Sequence, residues 1–188
     1  MARPKSFDPD EALQAAISVF AQHGFEGTKT EALVGAMRVG RQSLYDSFGD
    51  KWRLYVAALR CYLTDRIHLQ LGALRTPGRA MDGIADLVET VIIDPAIGCL
   101  GVGSICEFGR TNAEVAAAND HAGVTLRGAL ITRIAEAQAS GDIDRSLNPG
   151  DAASFIVMNL AGLKVAARAG ASQADLRNMT HMTLRSLR

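Results

Sequence analysis

The sequence has few aromatic residues and no excess of charge of either sign. Phe, Trp and Tyr make up 5% of its 188 residues, whereas hydrophobic residues make up 48%. A chain this apolar can bury a core and does not have the composition of a disordered protein, and its many Ala, Leu and Arg residues favour helix over strand. The 20 basic and 20 acidic residues cancel, so any affinity for nucleic acid has to come from a local basic surface.

Paired cysteines and long hydrophobic runs are also missing. Cys61, Cys99 and Cys106 are an odd number of cysteines without CxxC or Cys/His ligand spacing, which suits a reducing compartment. The N-terminus, MARPKSFDPDEAL, is too polar for a secretory signal. The longest apolar run, 152–163, is shorter than the roughly 20 residues that a membrane span needs. We expect a soluble, cytoplasmic protein with no membrane partner.

Motifs of common enzymes are absent as well. The sequence contains no GxSxG, GxxxxGK[ST], HExxH or paired catalytic carboxylates, and its 4 histidines are scattered without metal-ligand spacing. Gly101-Val102-Gly103 begins like a dinucleotide fingerprint, but the third glycine and the preceding strand are missing. We therefore predict that the protein is not an enzyme and that it holds neither a cofactor nor a metal.

Capping residues and hydrophobic periodicity predict an all-α chain of about nine helices. Asp8, followed by Pro9, is a helix cap, and apolar residues then recur at helical spacing until Gly24 ends the helix. Thr28 and Glu31 repeat the capping pattern before a second helix. That second helix is predicted at 29–37. Further helices are predicted at 41–48, 51–74, 79–93, within 98–109, at 113–139, from 148–149 to 168 and after a cap at 172.

Residues 28–51, TKTEALVGAMRVGRQSLYDSFGDK, have the layout of a helix-turn-helix. A short helix is followed by a turn at 38–40 and by a second short helix, whose Leu44 and Phe48 share one face. A helix-turn-helix places its second helix in the major groove of DNA. The sequence therefore predicts a DNA-binding head.

Long polar side chains on the second of these helices suit base recognition. Arg41 can bond guanine O6 and N7, and Gln42 can bond adenine N6 and N7. Asp46 would be repelled by phosphates unless it accepts from cytosine N4, and the alternative is an ion pair with a neighbouring arginine. Predicted phosphate contacts, from position or charge, are Lys29, Thr30 and Ser47.

The segment from residue 8 to about 60 resembles the TetR family of bacterial transcriptional regulators. The GFEGT connector and the run ALVGAMRVGRQSLYDSFGDKWRLYVAAL carry the resemblance. The residues in register with the family pattern are Leu44, Tyr45, Phe48, Gly49 and Lys51. The resemblance implies that Tyr45 contacts phosphate or a thymine methyl and that Lys51 holds a phosphate. Arg38 stands where the family usually has glycine, and a left-handed conformation there would cost about 1 kcal/mol.

The resemblance also implies the domains and partners of the chain. It divides the chain into a helix-turn-helix DNA-binding domain at 1–50 and a helical effector-binding and dimerisation domain at 51–188. The expected function is that of a transcriptional repressor, the default of the family, which leaves a palindromic double-stranded operator when a small-molecule effector binds. The expected homodimer forms through the last two helices, because the eighth helix, which opens at 148–149, is apolar nearly all round and the last helix carries an apolar stripe.

The effector pocket is predicted only from the expected helix faces, and core packing is the simpler explanation for each of its residues. The sequence suggests a modest apolar or neutral ligand, because aromatic residues are few and no charged cluster is present. The predicted pocket residues are His68, Met81, Cys99, Cys106, Phe108 and Phe155.

Two alternative functions stay open. Cys99 and Cys106 lie seven residues apart, and a thiolate is favoured near a helix start, which would suit a thiol-based redox-sensing regulator. The simpler interpretation is that each cysteine packs as a small, buried hydrophobic residue. A ligand-binding dimer without DNA binding is the other alternative, suggested by Arg38, Gly40 and Asp46.

Overall fold

The computed structural model of the chain describes residues 7–90 and 98–188, and across these ranges it is built from α-helices with no strand. The all-α prediction is confirmed, although the predicted end of the fifth helix, at 93, lies outside the described residues. The helices are α1 Pro9–His23, α2 Thr30–Met37, α3 Arg41–Phe48, α4 Lys51–Leu74, α5 Ala80–Glu89, α6 Leu100–Phe108, α7 Ala113–Ser140, α8 Pro149–Arg168 and α9 Gln173–Arg185.

Side-chain caps begin several of these helices. Asp8 accepts from the backbone N–H of Asp10 at 2.9 Å and begins α1 as expected. Ser172 and Asp175 form a complete capping box at α9. The predicted cap of α2 at Thr28 is wrong, because the buried Thr28 hydroxyl donates to the carbonyl of Gly24 instead. Lys29 is the N-cap of α2 and makes no side-chain cap.

Packing divides the described chain into two compact units. The first, here called the head unit, comprises 7–63 and 98–119, and the second unit comprises 64–90 and 120–188. This is a division by contacts, so the functional boundary at residue 50 stays a prediction. The core of the head unit includes Phe20, Leu33, Leu44, Leu54 and Leu100, all of which are almost fully buried.

The core of the second unit includes the inner face of α8. Ile156 and Leu163 on α8 pack with Ile84, Leu130 and Leu176 from α5, α7 and α9. By length and composition alone α8 could span a membrane, with a mean hydropathy of 1.2, but the core helix of a soluble protein meets the same criterion. In this structure α8 supplies one side of a helical core.

The opposite side of α8 is exposed. Its apolar residues there include Met158, with 72% of its surface exposed, and Val165, with 53% exposed. The sequence predicted that α8 is buried on more than one side, whereas within a single chain only one side of α8 is buried. Exposed large apolar residues on α8 and α9 together are Phe155, Met158, Val165, Met179 and Met182.

Candidate nucleic-acid interface

The turn between α2 and α3 is closed by a residue in the left-handed region. Arg38, the C-cap of α2, has a φ of 53° and is the single non-glycine residue with positive φ among the described residues. This is the left-handed conformation considered from the sequence, and it costs about 1 kcal/mol relative to glycine. Val39 and Leu44 are buried on either side of Gly40, the N-cap of α3. These contacts fix α3 against the head unit and leave its other face in solvent.

The exposed face of α3 carries the side chains predicted to read bases. Gln42 Nε2 donates to Asp46 Oδ1 at 2.8 Å, so Asp46 is paired with a glutamine and not with the arginine considered from the sequence. Arg41 instead lies 3.8 Å from Glu31 Oε1, and both side chains of this ion pair are well exposed. An exposed pair of this kind contributes little stability, and Arg41 is therefore available to an incoming ligand. The other predicted phosphate contacts in the head are Lys29, which is exposed, and Ser47, which is half-buried.

Tyr45 and Lys51 are each held by a contact within the head unit. The Tyr45 hydroxyl shares a hydrogen bond with the Thr30 hydroxyl at 3.3 Å, which ties α3 to the start of α2. This bond, with a smaller effect of the Arg41 guanidinium, lowers the pKa of Tyr45. The Lys51 ammonium lies 4.4 Å from the ring centroid of Phe25, a cation–π contact that positions it at the start of α4.

A carboxylate from α6 holds the connector between α1 and α2. Glu107 Oε2 accepts from the backbone N–H of Phe25 at 2.9 Å, and Glu107 Oε1 accepts from the N–H of Glu26 at 2.8 Å. Gly24, with φ of 72°, makes room for this contact, because a Cβ there would lie 2.9 Å from Glu107 Oε2. Sequence reasoning missed this role of Glu107, since no local pattern connects residues so far apart in the chain.

Five aromatic rings, one of which comes from the connector itself, pack together in the head unit. Phe20, Phe25, Trp52, Tyr55 and Phe108 form a cluster in which neighbouring centroids lie 5.0–5.9 Å apart. Contacts at these spacings add to the stabilisation from burial. The cluster therefore fixes the start of α4 and the end of α6 around one connector.

One polar atom of this cluster has no partner. The Tyr55 side chain is completely buried, and its hydroxyl makes no hydrogen bond in the described chain. Burial raises the pKa of the Tyr55 phenol, and the nearby Glu107 carboxylate raises it further. Trp52 is better satisfied, because its indole N–H donates to Glu114 Oε2 at 3.2 Å.

Comparison with known proteins identifies the family of the N-terminal segment. Residues 12–58 match the model of the bacterial regulatory proteins of the tetR family. Along nearly the whole chain, the structure superimposes on CifR, a TetR family transcriptional regulator solved as a cysteine mutant with a 26-bp double-strand operator. The TM-score is 0.85 and the identity 28%, over 99% of this chain and 100% of CifR. The N-terminal segment of the chain, residues 12–58, is therefore that of a TetR family regulator.

Two curated proteins are also similar to this chain in sequence. The uncharacterized HTH-type transcriptional regulator YezE of Bacillus subtilis is 36% identical over 89 residues, which is 47% of this chain. That match spans 46% of YezE, about half of its length. The HTH-type transcriptional repressor ComR of Escherichia coli is 26% identical over 189 residues, 97% of this chain and 90% of ComR.

The residues predicted to line an effector pocket are distributed over both units of the chain. Cys99, Cys106 and Phe108 belong to the head unit, whereas His68, Met81 and Phe155 belong to the second unit. Met81 is buried, Phe108 packs in the aromatic cluster, and Cys106, His68 and Phe155 are exposed. Their role as pocket walls stays a prediction. Among the described residues, no group of three or more His, Cys, Asp and Glu side chains could hold a metal ion.

Cys99 has the most specific surroundings of the three cysteines. It is the N-cap of α6, and its Sγ accepts from the backbone N–H of Val102 at 3.5 Å. The Tyr62 hydroxyl donates to the same sulfur at 3.3 Å. Two donors therefore converge on one sulfur at a helix N-terminus.

Proposed function

We propose that this chain is a homodimeric repressor that binds a palindromic operator in the cytoplasm and releases it when a small effector binds. The observation that carries the proposal is the exposed face of α3, where Arg41, Gln42 and Asp46 project from a helix-turn-helix fixed by buried residues. The likeness to CifR supports DNA as the ligand, and the likeness to the repressor ComR supports the direction of control. The proposal assigns no catalytic step to the chain.

The uncovered apolar faces of α8 and α9 support dimerisation. Met158 and Met182 are 72% and 64% exposed, and a second copy of the same face would remove such side chains from water. A two-fold dimer presents two α3 helices to half-sites about 34–36 Å apart, or a multiple of that distance. The operator is therefore proposed to be a palindrome.

Release by an effector requires differential binding. A ligand shifts the population of the DNA-binding state only if it binds the other state more tightly. The proposed pocket residues remain His68, Met81, Cys99, Cys106, Phe108 and Phe155, and the identity of the effector stays open. The proposed contacts with phosphate are those of Lys29, Thr30, Tyr45, Ser47 and Lys51.

In-vitro selection of duplex DNA from a random pool tests the proposal. The purified protein is expected to enrich a palindrome at a salt concentration of about 0.15 M. Arg41→Ala should cost roughly 1–3 kcal/mol at one base position of each half-site, because a guanidinium reads guanine there. Lys51→Ala should weaken binding to all sequences alike and reduce the salt slope by about one.

The two variants are controls for each other. Equal losses for both variants across all sequences would show that the division into base reading and phosphate anchoring is wrong. Failure of a folded wild-type dimer to enrich any sequence would contradict the repressor and favour a ligand-binding dimer without DNA binding.

A thiol-based regulator, which senses a reactive small molecule through its own cysteine, is the second candidate. The two hydrogen bonds donated to Cys99 favour it. The Cys99 thiol would lose its proton and displace iodide from an alkylating reagent such as iodoacetamide, forming a thioether that changes the N-terminus of α6. Titration of the native protein with iodoacetamide tests this candidate, because alkylation should release the selected operator and Cys99→Ser should abolish that release. Three inert thiols in the folded protein would exclude it.

A further inference from the structure

Gln42 and Asp46 lie one helical turn apart on the exposed face of α3. The Gln42 amide nitrogen donates to one carboxylate oxygen of Asp46 at 2.8 Å. This bond uses one of the two N–H donors of the amide, so the pair keeps one donor and presents as acceptors the Gln42 amide oxygen and the remaining capacity of the carboxylate. Arg41, beside them, contributes only donors. The exposed face thus combines one donor-only side chain with one pair that mainly accepts.

A carboxylate in the major groove is compatible with few bases. DNA carries about one negative charge per 1.7 Å of its axis, so Asp46 is repelled unless a base donates a hydrogen bond to it. In the major groove only cytosine N4 and adenine N6 are donors, whereas guanine and thymine present acceptors. Adenine also places the acceptor N7 beside N6. Cytosine is the base whose edge offers a donor with no acceptor next to it.

We propose that Gln42 and Asp46 act as one reading unit that selects cytosine at a defined position of each operator half-site. The inference rests on the proposed function, since it needs α3 in the major groove. Gln42 holds the Asp46 carboxylate in place and Asp46 makes the base contact. Four residues of helix advance about 6 Å, and stacked bases are 3.4 Å apart. The selected cytosine therefore lies within about two base pairs of the base that Gln42 faces.

Selection with Asp46 variants tests this assignment. Wild type, Asp46→Asn and Asp46→Ala are each selected against the same random pool and then measured on the wild-type site with all four bases at the affected position. Wild type should prefer cytosine there about tenfold, within the usual effect of one mismatched pair. Asp46→Asn should change the preference to adenine, because an amide both donates and accepts and matches adenine N7 and N6. Asp46→Ala should show no preference.

A matched charge control separates base reading from general repulsion. Asp10 is an exposed acidic residue in the first turn of α1, so Asp10→Asn removes the same charge outside α3 and should leave the base preference unchanged. Gln42→Ala should reduce the cytosine preference, because the carboxylate loses its hydrogen-bonded partner.

Two results would overturn the assignment in different ways. If Asp46→Asn binds every sequence more tightly by one common factor and keeps the wild-type preference, Asp46 does not read a base, and the proposed repressor stands. If the wild-type protein enriches no sequence at all, the proposed function fails and this assignment fails with it.

Discussion

The carboxylate of Glu107 accepts a hydrogen bond from the backbone N–H of Phe25 at 2.9 Å, across 82 residues of sequence. Together with the second bond, to Glu26, it fixes the connector that leads from α1 into the helix-turn-helix. The end of α6 is therefore part of the structure that positions α2 and α3. Bonds between a charged group and backbone N–H groups are stronger than neutral ones.

Removing this carboxylate should loosen the connector. We expect Glu107→Ala to lower the free energy of unfolding by about 1–2 kcal/mol, since hydrogen bonds to a charged group are lost and the residue is exposed to competing water. Urea unfolding measures the loss, and amide hydrogen exchange should speed up at Phe25 and Glu26. Glu89→Ala, at an exposed position at the end of α5, is the control and should change stability by less than about 0.5 kcal/mol. Unchanged exchange at both amides in Glu107→Ala would contradict the role given to the carboxylate.

Gly24 should be coupled energetically to Glu107. Gly24→Ala strains a residue with φ of 72° and brings its Cβ to 2.9 Å from the Glu107 carboxylate, so we expect a loss of about 1–3 kcal/mol. In a Glu107→Ala background, the part of this loss that comes from the close approach to the carboxylate should disappear. The double-mutant cycle should then give a coupling energy of at least about 0.5 kcal/mol. Gly170→Ala is the matched control, because φ is 91° there and no atom lies within 4 Å of the added Cβ. Strictly additive losses at Gly24 and Glu107 would refute the close approach.

Tyr55→Phe should raise stability, most of all at alkaline pH. The buried hydroxyl has no partner, so its removal should add about 1 kcal/mol to the free energy of unfolding near pH 7. Burial raises the pKa of Tyr55 in the folded chain, whereas an unfolded tyrosine ionises near pH 10. The neutral phenol of Tyr55 thus contributes its full stabilisation of the folded chain below pH ~10. This contribution is lost as the pH rises above that value, because the unfolded tyrosine then gives up its proton.

Urea unfolding between about pH 8 and pH 11 measures this difference. The gap in stability between Tyr55→Phe and wild type should widen above pH ~10, because the variant has no phenol at this position to ionise on unfolding. Tyr62→Phe is the control and should destabilise instead, since the Tyr62 hydroxyl donates to Cys99. A gap that stays constant across this pH range would mean that Tyr55 ionises in the folded chain as readily as in the unfolded one.

The proposed dimer should depend on the exposed face of α8. A charge placed at the proposed contact would be desolvated without a partner, so Met158→Glu should shift the protein from dimer to monomer. Sedimentation equilibrium at micromolar concentration measures the change. Val124→Glu alters a residue of α7 with similar exposure, 74% against 72% for Met158, and should leave the mass of the assembly unchanged. A dimer that survives Met158→Glu would place the contact elsewhere.

Local signals predicted most of the helices, while contacts over long sequence separations were not predictable. Asp8 and Ser172 begin helices as their capping patterns indicated, because a cap depends on residues within one turn. Thr28 carried the same pattern and does not cap α2, since its hydroxyl is used by the carbonyl of Gly24. Glu107 and the orphan hydroxyl of Tyr55 depend on which helices meet in space, and no periodicity encodes that information.

The composition of the head unit limits how DNA specificity can be exchanged between regulators. Leu100 and Val115 belong to the same buried core as Leu44 of α3, although they follow it by more than fifty residues of sequence. A hybrid protein that takes only the first 63 residues from this chain would leave part of that core to be filled by foreign side chains. The transferable cassette is discontinuous: it consists of the N-terminal helices and residues 98–119 together.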